Sequence, residues 1–239
     1  MTRSIRSINP AADGVFFVEG PASNWVVLVG DGRSALIDAG YPADLPLVED
    51  SLRDVAGDVP LEAIVVTHGH SDHIGSANAL VASHPGVRVF AGADELPNVR
   101  REVLHQVGVP DLVPQLLKPR FVSWAVHAVR AGGLGDVGVQ QVEAVPASMT
   151  IAGHRIRAVT TPGHTPGHTL YELPDAHAVA LGDSLVTGHA VSRREGLQTL
   201  HPMFHHDAVA AESAGATLAR TYSGWTLMPG HGAIRKAGI

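Results

Sequence analysis

The chain contains no cysteine and only two lysines, and each shortage excludes a class of function. Without cysteine, disulfides, thiolate metal ligands and cysteine nucleophiles are all excluded. Lys118 and Lys236 are the two lysines, no long run of arginine occurs, and the formal net charge is −6 with histidine neutral. We therefore expect no nucleic acid among the partners of this protein.

Long apolar runs are missing as well. No apolar stretch approaches the roughly 20 residues that cross a bilayer, and the polar start "MTRSIRSINPAADG" has no apolar core of a secretion signal. We therefore expect a soluble, cytoplasmic protein with no membrane partner. Hydrophobic residues still make up 45% of the 239 residues, which is enough for a sizeable core. The oligomeric state is open, and a homodimer is one of the alternatives.

Short apolar segments between glycine turns predict strands in both halves of the chain. They include "GVFFVEG", "NWVVLVG", "SALIDAG" and "AIVVT" early on, and "RIRAVTT", "HTLYEL", "AVALGD" and "WTLMPG" later. Helical spacing appears in "LPLVEDSLRDVA", in "GSANALVASH", which Ser71 or Asp72 is placed to cap, and in "DAVAAESAGATLART". This order predicts a single α/β domain over residues 1–239, built as a four-layer αββα sandwich.

The strand pattern is interrupted from Asp94 to about Gly138. There, "ELPNVRREVLHQVG" and "PDLVPQLLK" look helical, while "FVSWAVHAVR" fits a helix or a strand. We interpret residues 94–138 as a helical cap insertion within the domain. Its Phe121 and Trp124 either pack the insertion onto the sandwich or form a wall of a substrate pocket. His201 and His205, in "LHPMFHHD", either line a loop or approach the substrate.

Four polar donors crowd into "THGHSDHIG", directly after the apolar segment "LEAIVV". Imidazole and carboxylate groups in a tight turn need partners, and a metal ion would serve all of them. Three further donors follow strand patterns downstream, in "TTPGHTPGHT", "ALGDS" and "MPGHG". Seven nitrogen and oxygen donors overfill one four-coordinate ion, but they suit two ions about 3.5–4 Å apart if one carboxylate bridges. The seven candidates are His68, His70, Asp72, His73, His164, Asp183 and His231.

This combination, H-x-H-x-D-H followed by "GHT", "GD" and "GHG", resembles the metallo-β-lactamase fold superfamily, and within it the glyoxalase II-like and lactonase-like hydrolases. The resemblance covers nearly the whole chain apart from the insertion. It implies two Zn²⁺ per chain, with iron or manganese as alternatives, and it divides the ligands between two sites. The first metal would be held by His68, His70 and His164, the second by Asp72, His73 and His231, with Asp183 as the bridge.

The activity that the resemblance implies is hydrolysis of a small ester, thioester or lactone by a metal-bridging hydroxide. Asp72 and Asp183 would then be catalytic as well as ligands, because they can receive a proton during turnover. Asp38, which ends "SALID", resembles an aspartate that lies behind the metal histidines in this superfamily. We expect it to accept a hydrogen bond from one imidazole; the alternative is an ordinary turn aspartate.

The sequence excludes some substrates of the superfamily only where it lacks a feature of the corresponding subfamily. The chain ends at Ile239, without the C-terminal helical domain of glyoxalase II, so a glutathione thioester is not expected. Val186 stands where quorum-sensing lactonases usually have a tyrosine, and the lack of cysteine disfavours the cysteine-containing zinc β-lactamases. Two alternatives stay open: an iron-dependent oxidoreductase resembling persulfide dioxygenases, and a metal-binding module without turnover. Of the other histidines, His168 is expected as a structural partner and His189 as a locally satisfied residue.

Overall fold

The first sheet is formed mainly by the N-terminal half of the chain, in a computed structural model that describes residues 4–236. Its order follows the sequence, with β1 to β4 antiparallel and β4 to β7 parallel. The strands are β1 (Ser7–Ala12), β2 (Val15–Glu19), β3 (Asn24–Gly30), β4 (Arg33–Ile37), β5 (Leu61–Val66), β6 (Arg88–Ala91) and β7 (Val142–Ala144). The polar strand β1 is not predicted from the sequence, because its edge position requires little apolar surface.

The second sheet is formed by the C-terminal half and has the order β12-β11-β10-β9-β8. Its pairs are antiparallel except for β11 and β12, which are parallel. Consequently β11 and β12 end at the same edge of the sheet, the edge that carries "GD" and "GHG". The strands are β8 (Ser148–Ile151), β9 (His154–Thr160), β10 (Thr169–Leu173), β11 (Ala178–Gly182) and β12 (Thr226–Pro229).

Helices cover the outer faces of both sheets and fill the insertion. Between β6 and β7 the chain forms α4 to α6, and α7 follows β11. In the part of the chain that the structure describes, no helix has the length and apolar character needed to cross a membrane. The helices are α1 (Leu45–Ala56), α2 (Ser71–Ile74), α3 (Ala77–Ser83), α4 (Leu96–Val99), α5 (Val109–Leu112), α6 (Pro119–Arg130) and α7 (Ala208–Thr221).

Three apolar layers hold the sandwich together. Strand β3 shows the division clearly, since Val26 and Leu28 face the second sheet while Trp25 and Val27 face the helices. The inner layer includes Tyr171, whose hydroxyl donates to the backbone carbonyl at the end of β5 (2.8 Å). A separate outer layer joins α7 to β10, β11 and β12. The predicted four-layer αββα architecture is therefore confirmed.

Two local predictions are wrong. The helix predicted over residues 95–108 ends at Val99, and the following residues form turns and a loop. Neither Ser71 nor Asp72 caps a helix, because both lie inside α2, whose N-cap is His70. The ambiguous segment "FVSWAVHAVR" lies in α6, in which Phe121 is the buried residue.

Candidate metal centre

Seven polar side chains from distant parts of the chain converge where strands of both sheets end. His68 and His70 lie in the turn after β5, and Asp72 and His73 belong to α2. The other three follow β9, β11 and β12. Two groups of donor atoms result, each with all members within 4.8 Å of one another. The groups are His68, His70, His164 and Asp183, and then Asp72, His73 and His231.

In the first group, three imidazole nitrogens and one carboxylate oxygen point to a common centre. Nε2 of His164 lies 3.2 Å from Nε2 of His68 and 3.1 Å from Nδ1 of His70. Oδ2 of Asp183 lies 3.4 Å from the same His164 nitrogen. The donor set, three imidazoles and a carboxylate, suits a four-coordinate transition metal.

The second group shares the carboxylate of Asp183 with the first. Nε2 of His231 lies 3.3 Å from Oδ2 of Asp183 and 3.4 Å from Oδ2 of Asp72. Nε2 of His73 lies 3.5 Å from the other oxygen of Asp183, Oδ1. The Asp183 carboxylate therefore stands between the two groups, with atoms facing both.

Backbone carbonyls orient two of the five imidazoles. Nε2 of His70 lies 2.6 Å from the carbonyl of His105, and Nδ1 of His231 lies 2.7 Å from the carbonyl of Ala22. A carbonyl only accepts, so each of these nitrogens carries a proton. The opposite ring nitrogen of each histidine then faces the cluster.

Asp38 orients two more imidazoles from a left-handed backbone position (φ 64°) at the end of β4. Its Oδ2 accepts from Nδ1 of His73 (2.8 Å) and from the hydroxyl of Thr67 (2.8 Å). Because that hydroxyl donates to Asp38, its oxygen is left to accept from Nδ1 of His68 (3.0 Å). Asp38 thus accepts a hydrogen bond from one imidazole and supports a second through Thr67, and both rings turn Nε2 to the cluster.

His205 orients the fifth imidazole, that of His164. Nε2 of His205 donates to the carbonyl of Leu200 (3.2 Å), which leaves its Nδ1 as an acceptor 3.2 Å from Nδ1 of His164. Burial also lowers the pKa of His205, which favours this neutral form. His205 therefore contacts a candidate ligand from behind rather than facing a substrate.

The ring nitrogens that face each other in the first group require a cation between them. Nitrogens that face each other at 3.1–3.2 Å with both protons directed elsewhere repel, and no hydrogen bond can relieve them. In addition, Nε2 of His73 and Oδ1 of Asp183 are buried and have no hydrogen-bond partner among the described residues. Such orphaned polar atoms are costly unless a bound ion satisfies them. The residues present therefore fit a metal centre.

The protonation states differ between the two groups. Burial and neighbouring imidazoles hold the pKa of His68 and of His164 well below the usual value, and burial lowers the pKa of His70 to about 4. Burial also opposes a charge on His73, but the carboxylates around it, chiefly Asp183, raise its pKa to about 10. Without a metal, positive charge in the centre is thus carried by protons on the second group.

Glu95 ties the first turn to the loop that carries His164. This fully buried carboxylate accepts four hydrogen bonds. The backbone N–H of Gly69 (2.8 Å) and the amide of Asn98 (2.6 Å) donate to Oε1; the hydroxyl of Thr165 (2.7 Å) and the backbone N–H of Gly167 (3.0 Å) donate to Oε2. No local pattern in the sequence distinguishes Glu95 from an ordinary acid near a helix start.

Two glycines are required by close approach at the centre. A Cβ on Gly230 would overlap Oδ1 of Asp183 and lie 2.8 Å from the ring of His73. A Cβ on Gly69 would lie 2.8 Å from the side-chain amide of Asn98. Gly69 does not adopt a left-handed conformation, so it is the contact with Asn98, rather than a tight turn, that excludes a side chain there.

A largely apolar cavity opens onto the centre and encloses about 620 Å³ of empty space, part of it open to solvent. Asp72 and Asp183 lie at its polar end, and the insertion forms much of its wall. Of the four side chains predicted to face a substrate, Trp124 lines this cavity, whereas Phe121, His201 and His205 do not. The insertion residues along the wall are Gln106, Val107, Leu112, Trp124, Ala125, Ala128, Val129, Gly133 and Leu134.

His189 also lines the cavity, which its sequence context did not indicate. Its ring lies edge-on to His231, with 4.7 Å between ring centroids, and close to Phe204 at 5.0 Å. Its Nδ1 accepts from the backbone N–H of Val191 (3.3 Å), and burial lowers its pKa to about 3. His189 is therefore a neutral imidazole beside the second group, with the proton on Nε2.

Clustered imidazoles and carboxylates at the edge of an αββα sandwich define a class of metalloproteins. Residues 18–231 match the family model described as the metallo-beta-lactamase superfamily, and the chain therefore belongs to this superfamily. A solved metallo-beta-lactamase family protein from Thermus thermophilus has the same fold, with a TM-score of 0.66 and 19% identity. That likeness covers 95% of this chain and 76% of the other.

Curated relatives match parts of the chain. A probable metallo-hydrolase, YflN of Bacillus subtilis (strain 168), is 29% identical over 154 residues, which are 64% of this chain and 55% of YflN. A hydroxyacylglutathione hydrolase of Stenotrophomonas maltophilia (strain R551-3) is 39% identical over 72 residues, 30% of this chain and 26% of that enzyme. The chain thus spans about half the length of the first relative and about a quarter of the second.

Metal binding should release protons. The pKa of His73 is about 10, so its imidazole is charged at pH 7 without a metal, whereas a ligand must be neutral. Binding therefore expels this proton, and the apparent affinity should increase as the pH rises from 7 toward 10. Calorimetric titration of metal-free protein with Zn²⁺, in two buffers of different ionisation enthalpy, measures the release. Equal heats in both buffers would contradict the prediction, and His73→Ala should release about one proton fewer.

Glu95→Gln should destabilise the fold. An amide keeps one acceptor oxygen and directs its NH₂ group at two buried donors, so we expect the free energy of unfolding to fall by about 2–4 kcal/mol. Urea unfolding with metal chelated measures this without a contribution from ion binding. The matched control is Glu102→Gln, an exposed acid, which should change stability by less than about 0.5 kcal/mol. Equal effects of both substitutions would show that the four hydrogen bonds contribute little.

Proposed function

We propose that this protein is a metal-dependent hydrolase that cleaves a small ester, thioester or lactone with two bound divalent ions. The observation that carries the proposal is the position of Asp183, whose Oδ2 faces His164 and His231 while Oδ1 faces His73. One carboxylate between two complete donor groups supports a dinuclear centre. Family membership and the metallo-hydrolase relative support the hydrolytic activity.

The two ions would be zinc, held by nitrogen and oxygen donors of the kind that zinc uses. Asp183 would bridge them. Bound together, the ions would lower the pKa of water toward about 7 and polarise a carbonyl group. The first ion would be held by His68, His70 and His164, and the second by Asp72, His73 and His231.

Asp72 is the carboxylate that we assign to proton transfer. Both aspartates line the cavity, but the side chain of Asp72 is 15% exposed, whereas that of Asp183 is 3% exposed and lies between the two donor groups. The carboxylate of Asp72 can therefore hold the proton of the attacking water and deliver it to the leaving group. The cavity wall supplied by α6 would contact an apolar acyl portion bound in the same cavity.

A mononuclear iron dioxygenase has less support. Such an enzyme engages one iron through two histidines and an aspartate and has no need for a second complete group. Here Asp72, His73 and His231 form that second group, and both imidazoles have a backing hydrogen bond. The geometry consequently favours the hydrolase.

Metal analysis and one isosteric substitution test the proposal. Purified protein should contain two zinc ions per chain and hydrolyse at least one member of a panel of esters, thioesters and lactones. Asp183→Asn removes one charge and the bridging oxygen, so kcat/KM should fall by at least about 100-fold, the upper range for loss of even an outer partner. Circular dichroism should show the strands intact.

The matched control is Asp175→Asn, an exposed acid paired with Arg155 far from the centre, which should leave the rate unchanged. A single bound ion in fully active protein would contradict the dinuclear centre. An Asp183→Asn variant that retains most of the wild-type rate would show that Asp183 is not the bridge.

Substitutions of Trp124 and Phe121 distinguish a role in substrate selection from a role in packing. Trp124 lines the cavity, whereas Phe121 is 6% exposed and packs in a cluster with Val186, Leu200 and Phe204. Trp124→Ala should lower kcat/KM by about 10-fold more for long apolar acyl groups than for acetyl esters. Phe121→Ala should instead reduce the free energy of unfolding by about 3 kcal/mol without changing the order of substrates. A uniform loss for both variants, following thermal stability, would assign both rings to packing.

A further inference from the structure

A second concave surface, which we name the arginine cleft, lies beside the cavity. Trp124 and His189 line both, so the two surfaces adjoin at these rings. A neighbouring shallow groove continues it and adds Lys118, sharing Arg120 and Arg193 with the cleft. The cleft is defined by its five cationic residues, Arg6, Arg120, Arg193, Arg194 and Arg235.

The charge of this surface is opposite to that of the whole chain. Its acidic lining residues are Glu19 and Glu195, so the arginines leave a local excess of positive charge in a chain whose net charge is −6. The positive charge also affects a neighbouring residue, His201. Burial lowers the pKa of His201 most, and the charges of Lys118 and Arg193 lower it further. Concentrated charge of one sign beside a cleft attracts ligands of the other sign.

The arginines are available to a ligand. All five are exposed, and ion pairs among residues 4–236 engage other arginines of the chain rather than these. Arg120 donates to the carbonyl of Ser192 (2.6 Å), and Arg6 donates to the carbonyl of Pro21 (3.1 Å). These bonds to neutral acceptors orient two guanidinium groups without neutralising their charge.

We propose that the arginine cleft binds a phosphate-bearing leaving group, so that the substrate is an acyl thioester with an apolar acyl part and a polyanionic far end. This inference rests on the hydrolase proposed above. The acyl part would lie in the cavity, where α6 supplies apolar contacts, and the anionic end would extend past Trp124 into the cleft. Guanidinium groups match phosphate oxygens in pairs, and several of them along a cleft fit several phosphates better than one carboxylate.

A thioester of coenzyme A has this chemistry. In its hydrolysis, the oxygen of water bonds to the carbonyl carbon and the carbon–sulfur bond breaks. The sulfur leaves with the bond electrons and takes up a proton, giving a free thiol and a carboxylic acid. No oxidant or reductant is needed. A small ligand is favoured over a nucleic acid because the chain as a whole is acidic, with a net charge of −6.

Three thioesters with the same hexanoyl group test the proposal in the holoenzyme: those of coenzyme A, of glutathione and of N-acetylcysteamine. The first carries phosphates, the second carboxylates and the third no charge. We expect kcat/KM to be highest for the coenzyme A thioester, by at least about 10-fold and through KM, the scale of one hydrogen bond to a charged group. That advantage should shrink as salt is added.

The variant Arg193→Gln/Arg194→Gln should raise KM for the coenzyme A thioester by about 10-fold or more and leave the N-acetylcysteamine thioester unchanged. Arg155→Gln, on the second sheet and paired with Asp175, is the matched control and should alter neither. Equal kcat/KM for the charged and neutral thioesters would overturn the proposal. If kcat/KM for the glutathione thioester equals that for the coenzyme A thioester, the cleft recognises carboxylates as well as phosphates, and the proposal is overturned as well.

A binding measurement is independent of turnover. Adenosine 3′,5′-bisphosphate should bind the holoenzyme in calorimetry, and Arg193→Gln/Arg194→Gln should weaken it by about 10-fold. If it binds in this way while no ester, thioester or lactone is cleaved, the cleft stands and the hydrolase fails. If a neutral thioester is cleaved but the bisphosphate does not bind, the hydrolase stands and the cleft fails. Tighter arginine-dependent binding of a single-stranded oligonucleotide would also overturn the small-molecule proposal.

Discussion

The centre depends on one constraint: each clustered imidazole must give one nitrogen to the protein so that the other can face the cluster. The acceptors come from separate places, namely the carbonyls of Ala22 and His105, the carboxylate of Asp38, the hydroxyl of Thr67 and the ring of His205. Each removes a rotational freedom that the ring would otherwise keep. In the first group, the repulsive approach of ring nitrogens is thereby built before any ion binds, and the fold provides the energy for it.

The sandwich supplies that energy because it brings these acceptors to one edge. Asn24, at the start of β3, donates its side-chain amide to the carbonyls of Pro229 and Gly232, on either side of His231. Tyr171 joins the two sheets at the end of β5, immediately before the turn that carries His68 and His70. His168 accepts the backbone N–H of Asp183 (3.0 Å), as a structural partner rather than a member of either donor group. The contacts that pack the two sheets together therefore also position the donor side chains.

The sequence could predict the features that depend on local motifs, but not those that depend on contacts between distant segments. The candidate ligands follow strands in four short motifs, so their spacing and their position at strand ends were both readable, as was the layered fold. Glu95, His189 and the position of His205 were not, because each role arises only when distant segments meet. The helix predicted beyond Val99 fails for a related reason. Arg101 adopts a left-handed conformation (φ 63°) and donates to the carbonyl of Gly69 (2.6 Å), and a continuing helix would not permit that contact.

The insertion consequently links substrate selection to the metal centre. Its residue His105 supports the ring of His70, its Gln106 accepts from the hydroxyl and the backbone N–H of Ser71, and α6 forms the apolar wall of the cavity. Arg120 then ties α6 to the segment that carries Arg193. A change of insertion in this superfamily would therefore alter more than the shape of a pocket. In this chain it would also shift the orientation of a candidate ligand and the cationic surface beside it, so the three features are constrained to vary together.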